Sequence, residues 1–247
     1  MAYDAQDELE EEVAENFRTP FLIGKIIKIS LILFVIAINA LVIWRVFFSA
    51  NIPKSIDVLE TNDAICEAYR EHGNDLLLQY QDQYSVNYDK GKEGYFGVPQ
   101  YVFIPEAKQV QLVFRYNNST LRNLTKDYEL AAVPDKEADL FDVTLLCVTD
   151  LTPDNTTDHE QSELRIHPTS KATETTMLYT YHRYVFDNVE IDPSAAASVF
   201  LDVYYNGDLN YEHEPYGTLR LYNHLSSWMS RDLTSADKKA LKSACGS

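Results

Sequence analysis

The sequence is poor in cysteine and in positive charge, and each shortage excludes a class of protein. It has three cysteines and no Cys-x-x-Cys pair, so neither a zinc ribbon nor a thioredoxin-like redox motif is supported. It has 21 Lys and Arg against 38 Asp and Glu, a net charge of −17. This balance argues against nucleic-acid binding, because contacts to phosphates require clustered basic side chains. With 45% hydrophobic residues, the chain is not disordered by composition.

Several motifs of common enzyme classes are also missing. There is no Gly-x-Ser-x-Gly, no His-Glu-x-x-His, and no glycine loop of the kind that binds nucleotides. The six histidines are scattered, and we expect solvated or hydrogen-bonded side chains rather than metal ligands. Cys147 alternates with apolar residues and is predicted to lie in the core. One cysteine pair, such as Cys66 with Cys147, could form a disulfide if the domain lies outside the cytoplasm.

A long uncharged run is the strongest signal in the chain. Residues 1–20 contain seven acids and one arginine, whereas residues 21–54 contain four bases and no acid. Within the second of these segments, the sequence from Ile29 to Trp44 is apolar apart from Ser30 and Asn39. This pattern predicts a transmembrane signal anchor over residues 22–50. The alternatives are a buried core helix and a cleaved signal peptide. The length and all-round apolar character argue against the first, and the long acidic leader against the second.

The basic residues around this segment predict its orientation. Arg18, Lys25 and Lys28 precede or begin the span, while Arg45 and Lys54 follow it. By the positive-inside rule the N-terminal tail, residues 1–21, is predicted to be cytoplasmic and the rest of the chain extracytoplasmic. Four residues mark the predicted span. Ile29 lies at its apolar start and Phe34 near its middle, Asn39 is its one polar amide, and Trp44 is an interfacial aromatic residue. The amide is either tolerated or hydrogen-bonds across a helix dimer.

The remaining sequence changes from a helical to an alternating pattern. Residues 51–75 are predicted to be a stalk with a short helix that Thr61 or Asn62 caps and Gly73 ends. Residues 76–225 then show period-two alternation rich in Val, Tyr, Phe and Thr, which predicts an antiparallel β-sandwich of about seven strands and a mainly β fold. Residues 226–247 are predicted to be a tail, either with a short amphipathic helix or frayed.

Acidic residues around one predicted strand end are the best candidate for a metal site. Asp202, Asp208, Glu212 and Glu214 flank the loop after the strand that contains Val203. Calcium prefers six to eight oxygen ligands, which adjoining loops of a sandwich can supply. Solvated acids and a pair of glycosidase-type carboxylates are the two alternatives. Apart from this calcium hypothesis, no cofactor is predicted.

Tyrosine is unusually frequent, with 17 residues. Exposed tyrosine suits carbohydrate or protein binding, because it offers an apolar ring and a hydroxyl group. The binding candidates lie in the last third of the chain: Tyr204, Tyr205, Tyr211 and Tyr216. The alternative is that these tyrosines are simply good strand residues.

Four segments carry a resemblance to a known group. FRYNNST (114–120), HPTS (167–170), DVYYN (202–206) and EPYGTLRLYN (214–223) resemble segments of uncharacterised single-span membrane proteins of anaerobic Gram-positive bacteria. The resemblance implies a protein of the cell envelope. Because that group has no assigned activity, it transfers no catalytic residue to this chain.

Together these features predict a bitopic membrane protein that displays a β-sandwich for non-catalytic binding or scaffolding. Its expected partners are membrane lipid around the span and an envelope protein or glycan, with no nucleic acid. Two other functions stay open at this point. One is an anchored hydrolase that uses loop carboxylates, and the other is an adaptor whose domain faces the cytoplasm.

Overall fold

The computed structural model describes residues 25–44, 51–81, 86–87, 94–150, 161–190, 196–208, 214–223 and 228–246. The chain divides into two compact units, residues 1–51 and residues 52–247. In the first unit the described element is a single apolar helix, and in the second it is a β-rich domain. The two units are considered separately below.

The helix of the first unit, α1, runs over Lys25–Trp44 and contains an 18-residue stretch with a mean hydropathy of 2.8. Its 20 residues measure about 30 Å at about 1.5 Å per residue, so it is long and apolar enough to cross a bilayer. It contains the predicted residues Ile29, Phe34, Asn39 and Trp44. Asn39 Nδ2 donates a hydrogen bond to the carbonyl of Val35, at 2.8 Å, one turn earlier in the same helix. The helix itself therefore supplies a partner for this amide, which favours tolerance over a required helix dimer.

Two antiparallel sheets form the second unit, which confirms the mainly β class and the sandwich architecture. Sheet A has the order β11-β1-β3-β4-β8-β7, and sheet B has the order β2-β10-β9-β5-β6. The strands are β1 Leu77–Gln81, β2 Val86–Asn87, β3 Phe96–Ile104, β4 Gln109–Asn117, β5 Phe141–Asp150, β6 Gln161–Ile166, β7 Ser170–Thr175, β8 Tyr179–Phe186, β9 Ala196–Tyr205, β10 Gly217–Asn223 and β11 Trp228–Asp232.

The described part of the domain also contains four α-helices and two 3-10 turns. The helices are α2 Lys54–Asp57, α3 Asp63–His72, α4 Asn118–Asp127 and α5 Ser235–Cys245, and the 3-10 turns are Gly73–Asp75 and Pro105–Ala107. The sequence analysis predicted no helix at α4. In the structure the Asn117 side chain accepts bonds from the backbone N–H groups of Ser119 and Thr120, which makes it a helix cap. It also missed β6 and β7, and the described strands number eleven rather than about seven.

The main core lies between the two sheets. Val110, Leu112 and Phe114 point inward from sheet A, and Val143, Leu145 and Cys147 point inward from sheet B, as the alternation predicted. On β3 the inward parity changes, with Phe96 and Val98 followed by Tyr101 and Phe103. A register shift between Gly97 and Gln100 causes this change. Pro99 lies within the shift, where a missing N–H costs no ladder bond.

A second core covers the opposite face of sheet A, where α3 and α5 pack. It includes Ile65 of α3, Leu241 of α5, and Leu78 and Ile104 of the sheet. Asn62 caps α3 by accepting a bond from the N–H of Ile65, and Gly73 ends it at φ +61°, as predicted. The domain thus has three layers, and sheet A is buried on both faces.

The C-terminal segment belongs to the folded domain. β11 pairs with β1 along its whole length, and α5 is anchored by a disulfide between Cys245 and Cys66 of α3. The pairing of Cys66 with Cys147 was therefore wrong, because Cys147 lies in the inter-sheet core as a free thiol. The predicted short helix is present. Residues 226–247, expected to be a tail, supply an edge strand and part of the second core.

The first segment of the second unit crosses the face of sheet A, and buried side chains hold it there. We call residues 52–62 the lead-in. Gln111, fully buried on β4, accepts a bond from the N–H of Glu60 at 2.9 Å and donates to the Glu60 carbonyl at 2.7 Å. Arg183, 1% exposed on β8, donates through Nε to the carbonyl of Ile56 at 2.7 Å.

Further polar bonds extend this contact to the C-terminal end of the lead-in. The N–H of Leu59 donates to Asp237 of α5 at 3.0 Å. Gln109 donates to the side chains of Asn62 and Asp187, at 2.9 and 2.8 Å. Backbone groups that lie on a sheet face have no strand partner, so these side chains satisfy them instead. The lead-in is therefore part of the domain rather than a free stalk.

Replacing Gln111 with Leu tests this role. The change leaves both backbone groups of Glu60 without their partner, and we expect a loss of about 2 to 4 kcal/mol in the free energy of unfolding. The measurement is urea unfolding of the full chain in neutral detergent.

Gln79→Leu is the matched control, because it makes the same change on β1 of the same sheet. The side-chain oxygen of Gln79 has no hydrogen-bond partner among the described residues, so we expect a change below about 1 kcal/mol. Equal losses in the two variants would refute the role given to Gln111.

Candidate functional site

The predicted acidic site does not assemble from the residues that the structure describes. Asp202 lies on β9, is 4% exposed, and accepts bonds from Arg165 Nη1 and from Thr218 Oγ1, each at 2.9 Å. The two bonds use different carboxylate oxygens. Asp202 therefore links strands β6, β9 and β10 on the outer face of sheet B, and both of its carboxylate oxygens already accept a hydrogen bond.

The other three acids lie apart or outside the description. Asp208 accepts a bond from the Tyr128 hydroxyl at 2.7 Å, beyond the end of β9. Glu214 is exposed, and Glu212 lies outside the described residues. Within the described ranges, no group of three or more His, Cys, Asp or Glu side chains is placed to hold a metal ion. The calcium hypothesis therefore gains no support from the described acids.

The tyrosine candidates separate by burial. Tyr205 is 9% exposed and Tyr216 is 5% exposed, so both rings are buried and give the binding prediction no support. Tyr205 points inward with Val203. Tyr216 also packs in the core, where its ring stacks on Phe141, and its hydroxyl donates a hydrogen bond to Asp127 at 2.6 Å. Tyr204, on the opposite face of β9, is half-buried beside Arg165, and Tyr211 lies outside the described residues.

Burial also encloses two side chains of reactive types, a cysteine thiol and a histidine ring. Cys147 is enclosed in the main core, and burial raises the pKa of its thiol to about 11. His182 is 1% exposed, and its ring lies beside Phe114 and Tyr116. Its Nδ1 is 2.8 Å from the hydroxyl of Thr173, while Nε2 has no partner among the described atoms. Burial, with Lys171 nearby, lowers the pKa of His182 to about 3, so the ring is neutral.

The sequence contains one Ser-x-x-Lys spacing, Ser235 to Lys238, at the start of α5. In some hydrolases such a lysine activates the serine. Here Ser235 is exposed, and no bond among the described contacts joins its hydroxyl to Lys238. Thr234 caps this end of the helix through a reciprocal bond with Asp237, so the spacing follows from the helix start. We assign no activity to it.

The candidate site that the sequence analysis missed is a cleft between α3 and α5. Its volume is about 800 Å³, within the range typical of small-molecule sites. Four cations line it together with one aromatic ring and one amide: Arg70, Lys238, Lys239, Lys242, Tyr69 and Asn74. The only sequence signal was the group of three lysines in the predicted C-terminal helix. The contribution of α3 depends on a contact between residues far apart in the chain.

Local bonds position the α3 side of this cleft. Arg70 lies in the last turn of α3, and its Nε donates to the carbonyl of Cys245 at 3.2 Å. The hydroxyl of Tyr69 donates to Asn74 at 3.3 Å. One turn before Arg70, the disulfide joins Cys66 to Cys245. The two walls of the cleft are therefore covalently joined next to the residues that line it.

The neutral state of His182 predicts a pH dependence of stability. In the unfolded chain a histidine binds a proton with pKa near 6.5, whereas folded His182 does so near 3. Between these values the unfolded state binds more protons, so stability falls as the pH falls. From pH 7 to pH 5 we expect a loss of about 2 kcal/mol from this residue.

His182→Gln should remove this loss, whereas the same change at the exposed His167 should leave it. The measurement is urea unfolding at the two pH values, with titration of His182 followed by NMR in the unaltered protein. A His182 resonance that titrates near pH 6.5 would contradict the expectation.

Comparisons with known proteins found no match. The chain matches no family model, no curated protein and no solved structure. Its function is therefore argued from its own residues.

Proposed function

We propose that the chain is a single-pass membrane protein whose domain, residues 52–247, lies outside the cytoplasm and acts in non-catalytic binding or scaffolding. The helix α1 anchors it, with membrane lipid as its first partner. The second partner is an envelope component, a protein or a glycan. The setting is the envelope that the sequence resemblance implies.

The observation that carries this proposal is the disulfide between Cys66 and Cys245. Disulfides persist in oxidising compartments and are rare in the cytoplasm, where thiols are kept reduced. The cysteines are 179 residues apart, so the bond closes nearly the whole domain into one loop. A long closed loop is where a disulfide restricts the unfolded chain most. This supports an extracytoplasmic domain and agrees with the orientation that the flanking basic residues predict.

The candidate reactive groups support binding rather than catalysis. Asp202 and Asp208, the carboxylates expected for a hydrolase, are each hydrogen-bonded to neighbouring side chains. Cys147 and His182 are enclosed in the core. A catalytic group must reach its substrate, and these four residues serve the packing of the domain instead.

Anchoring suits a binding function for a physical reason. A domain held at the membrane meets other envelope components at high effective concentration, so weak individual contacts are sufficient. The lead-in is bonded to sheet A, and it continues from the residues that follow α1 in the sequence. Binding at the domain therefore acts on a structure that begins close to the anchor in the chain.

Protease treatment of intact cells tests the orientation. With a tag joined to the C-terminus by a flexible linker, we expect the tag to be lost without lysis. Full protection until lysis would overturn the extracytoplasmic placement and favour the cytoplasmic adaptor. A cytoplasmic tagged protein, followed in the same samples, reports whether the cells stay intact.

Counting free thiols in the full chain tests the compartment independently. After denaturation of freshly lysed cells with an alkylating agent, we expect one adduct, at Cys147, and three after reduction. Cys245→Ser is the matched variant and should show two adducts before reduction. Three adducts in the unaltered protein before reduction would mean that the disulfide does not form in the cell.

A further inference from the structure

We propose that the cleft between α3 and α5 binds the phosphate groups of a phosphodiester chain. This inference rests on the proposed function, since it names the ligand class of the extracytoplasmic domain. It starts from the charge of the cleft. Residues 55–247 contain 31 acidic and 16 basic residues, and four of those basic residues line this one cleft, while no lining residue is acidic.

The cations of the cleft have no carboxylate partner among the described residues, and Arg70 contacts the carbonyl of Cys245. Among the described residues, no salt bridge is formed by Arg70, Lys238, Lys239 or Lys242. Lys238 and Lys242 are four residues apart on α5, where like charges repel. Arg70 and Lys242 lie in the last turns of α3 and α5, where the helix dipole favours a cation, whereas Lys238 and Lys239 lie before the last turn of α5. A bound anion would relieve the repulsion between the lysines.

The geometry of the cleft suits several linked phosphate groups better than one free inorganic anion. A guanidinium group offers paired N–H donors that match phosphate oxygens, and lysines add mobile point charges. Arg70 uses Nε on the carbonyl of Cys245, and the terminal pair of N–H groups on its two Nη atoms is not part of that bond. The Tyr69 ring and the lysine methylenes add apolar surface, and a volume of about 800 Å³ exceeds one phosphate. The fit is therefore to phosphates joined by carbon units.

The net negative charge of the domain favours a flexible phosphodiester chain over an anionic membrane surface as the ligand. A flat anionic membrane would face the whole acidic domain, and repulsion would oppose the local attraction. A flexible phosphodiester chain can place two or three phosphates in the cleft and leave the rest in solvent. The disulfide between the walls, at Cys66 and Cys245, holds the cations in place before binding, which lowers the cost of association.

The test measures binding of a fluorescent glycerol-phosphate oligomer to the purified full chain in neutral detergent, by anisotropy at low and moderate salt. We expect Lys238→Gln with Lys242→Gln to reduce affinity at least tenfold and to flatten its salt dependence. The matched control is Arg122→Gln with Lys126→Gln, which removes the same charge from exposed positions of α4 and should change affinity less than twofold.

Three outcomes would overturn the proposal. The first is no binding of the oligomer by the unaltered protein, and the second is an equal loss in both double variants, which would mean non-specific attraction. The third is cleft-dependent binding to phosphatidylglycerol vesicles without binding of the oligomer, which would assign the cleft to lipid headgroups. The measurement uses purified protein, so its result is independent of the protease and thiol tests of orientation. A failure of one proposal can therefore be told from a failure of the other.

Discussion

The positions of the lead-in and of the helices on sheet A depend on the bonds between buried side chains of sheet A and the backbone of the lead-in. An edge strand pairs its N–H and C=O groups with a neighbour, but a segment that crosses a sheet face has no such ladder. Gln111 replaces a strand neighbour by hydrogen-bonding to both the N–H and the C=O of Glu60. Arg183 donates a hydrogen bond to the carbonyl of Ile56. Burying these polar groups is favourable only while all partners are in place, so the contact specifies one path for the chain.

That path determines where the helices lie. Asn62 ends the lead-in and caps α3, and Asp237 of α5 accepts a bond from Leu59 within it. The two helices then meet over sheet A, where the disulfide joins them. The cationic cleft is a consequence of this meeting, because its two walls come from opposite ends of the domain. Within the domain, the lead-in, the two helices and the cleft are thus connected by direct contacts.

The candidate residues show how far sequence reasoning reaches. Alternation placed Val110, Leu112, Val143 and Cys147 correctly, because which face of a strand a residue occupies is a local property. It did not distinguish Tyr204 from Tyr205 as binding residues, since both are tyrosines and only the position of the second sheet decides which ring is enclosed. The acidic loop was selected by proximity in sequence. In the structure Asp202 instead pairs with Arg165, which lies 37 residues away.

By itself the sequence determined the apolar helix α1, the mainly β class, the strand alternation and the start and end of α3. These depend on hydrophobic periodicity and on capping residues within a few positions of each other. Only the tertiary structure decided that Cys66 pairs with Cys245, that the last 20 residues complete sheet A, and that Gln111 and Arg183 are buried beneath the lead-in. The physical reason is that each of these contacts joins residues far apart in the chain. Their energies depend on how the layers pack, and no local pattern records that packing.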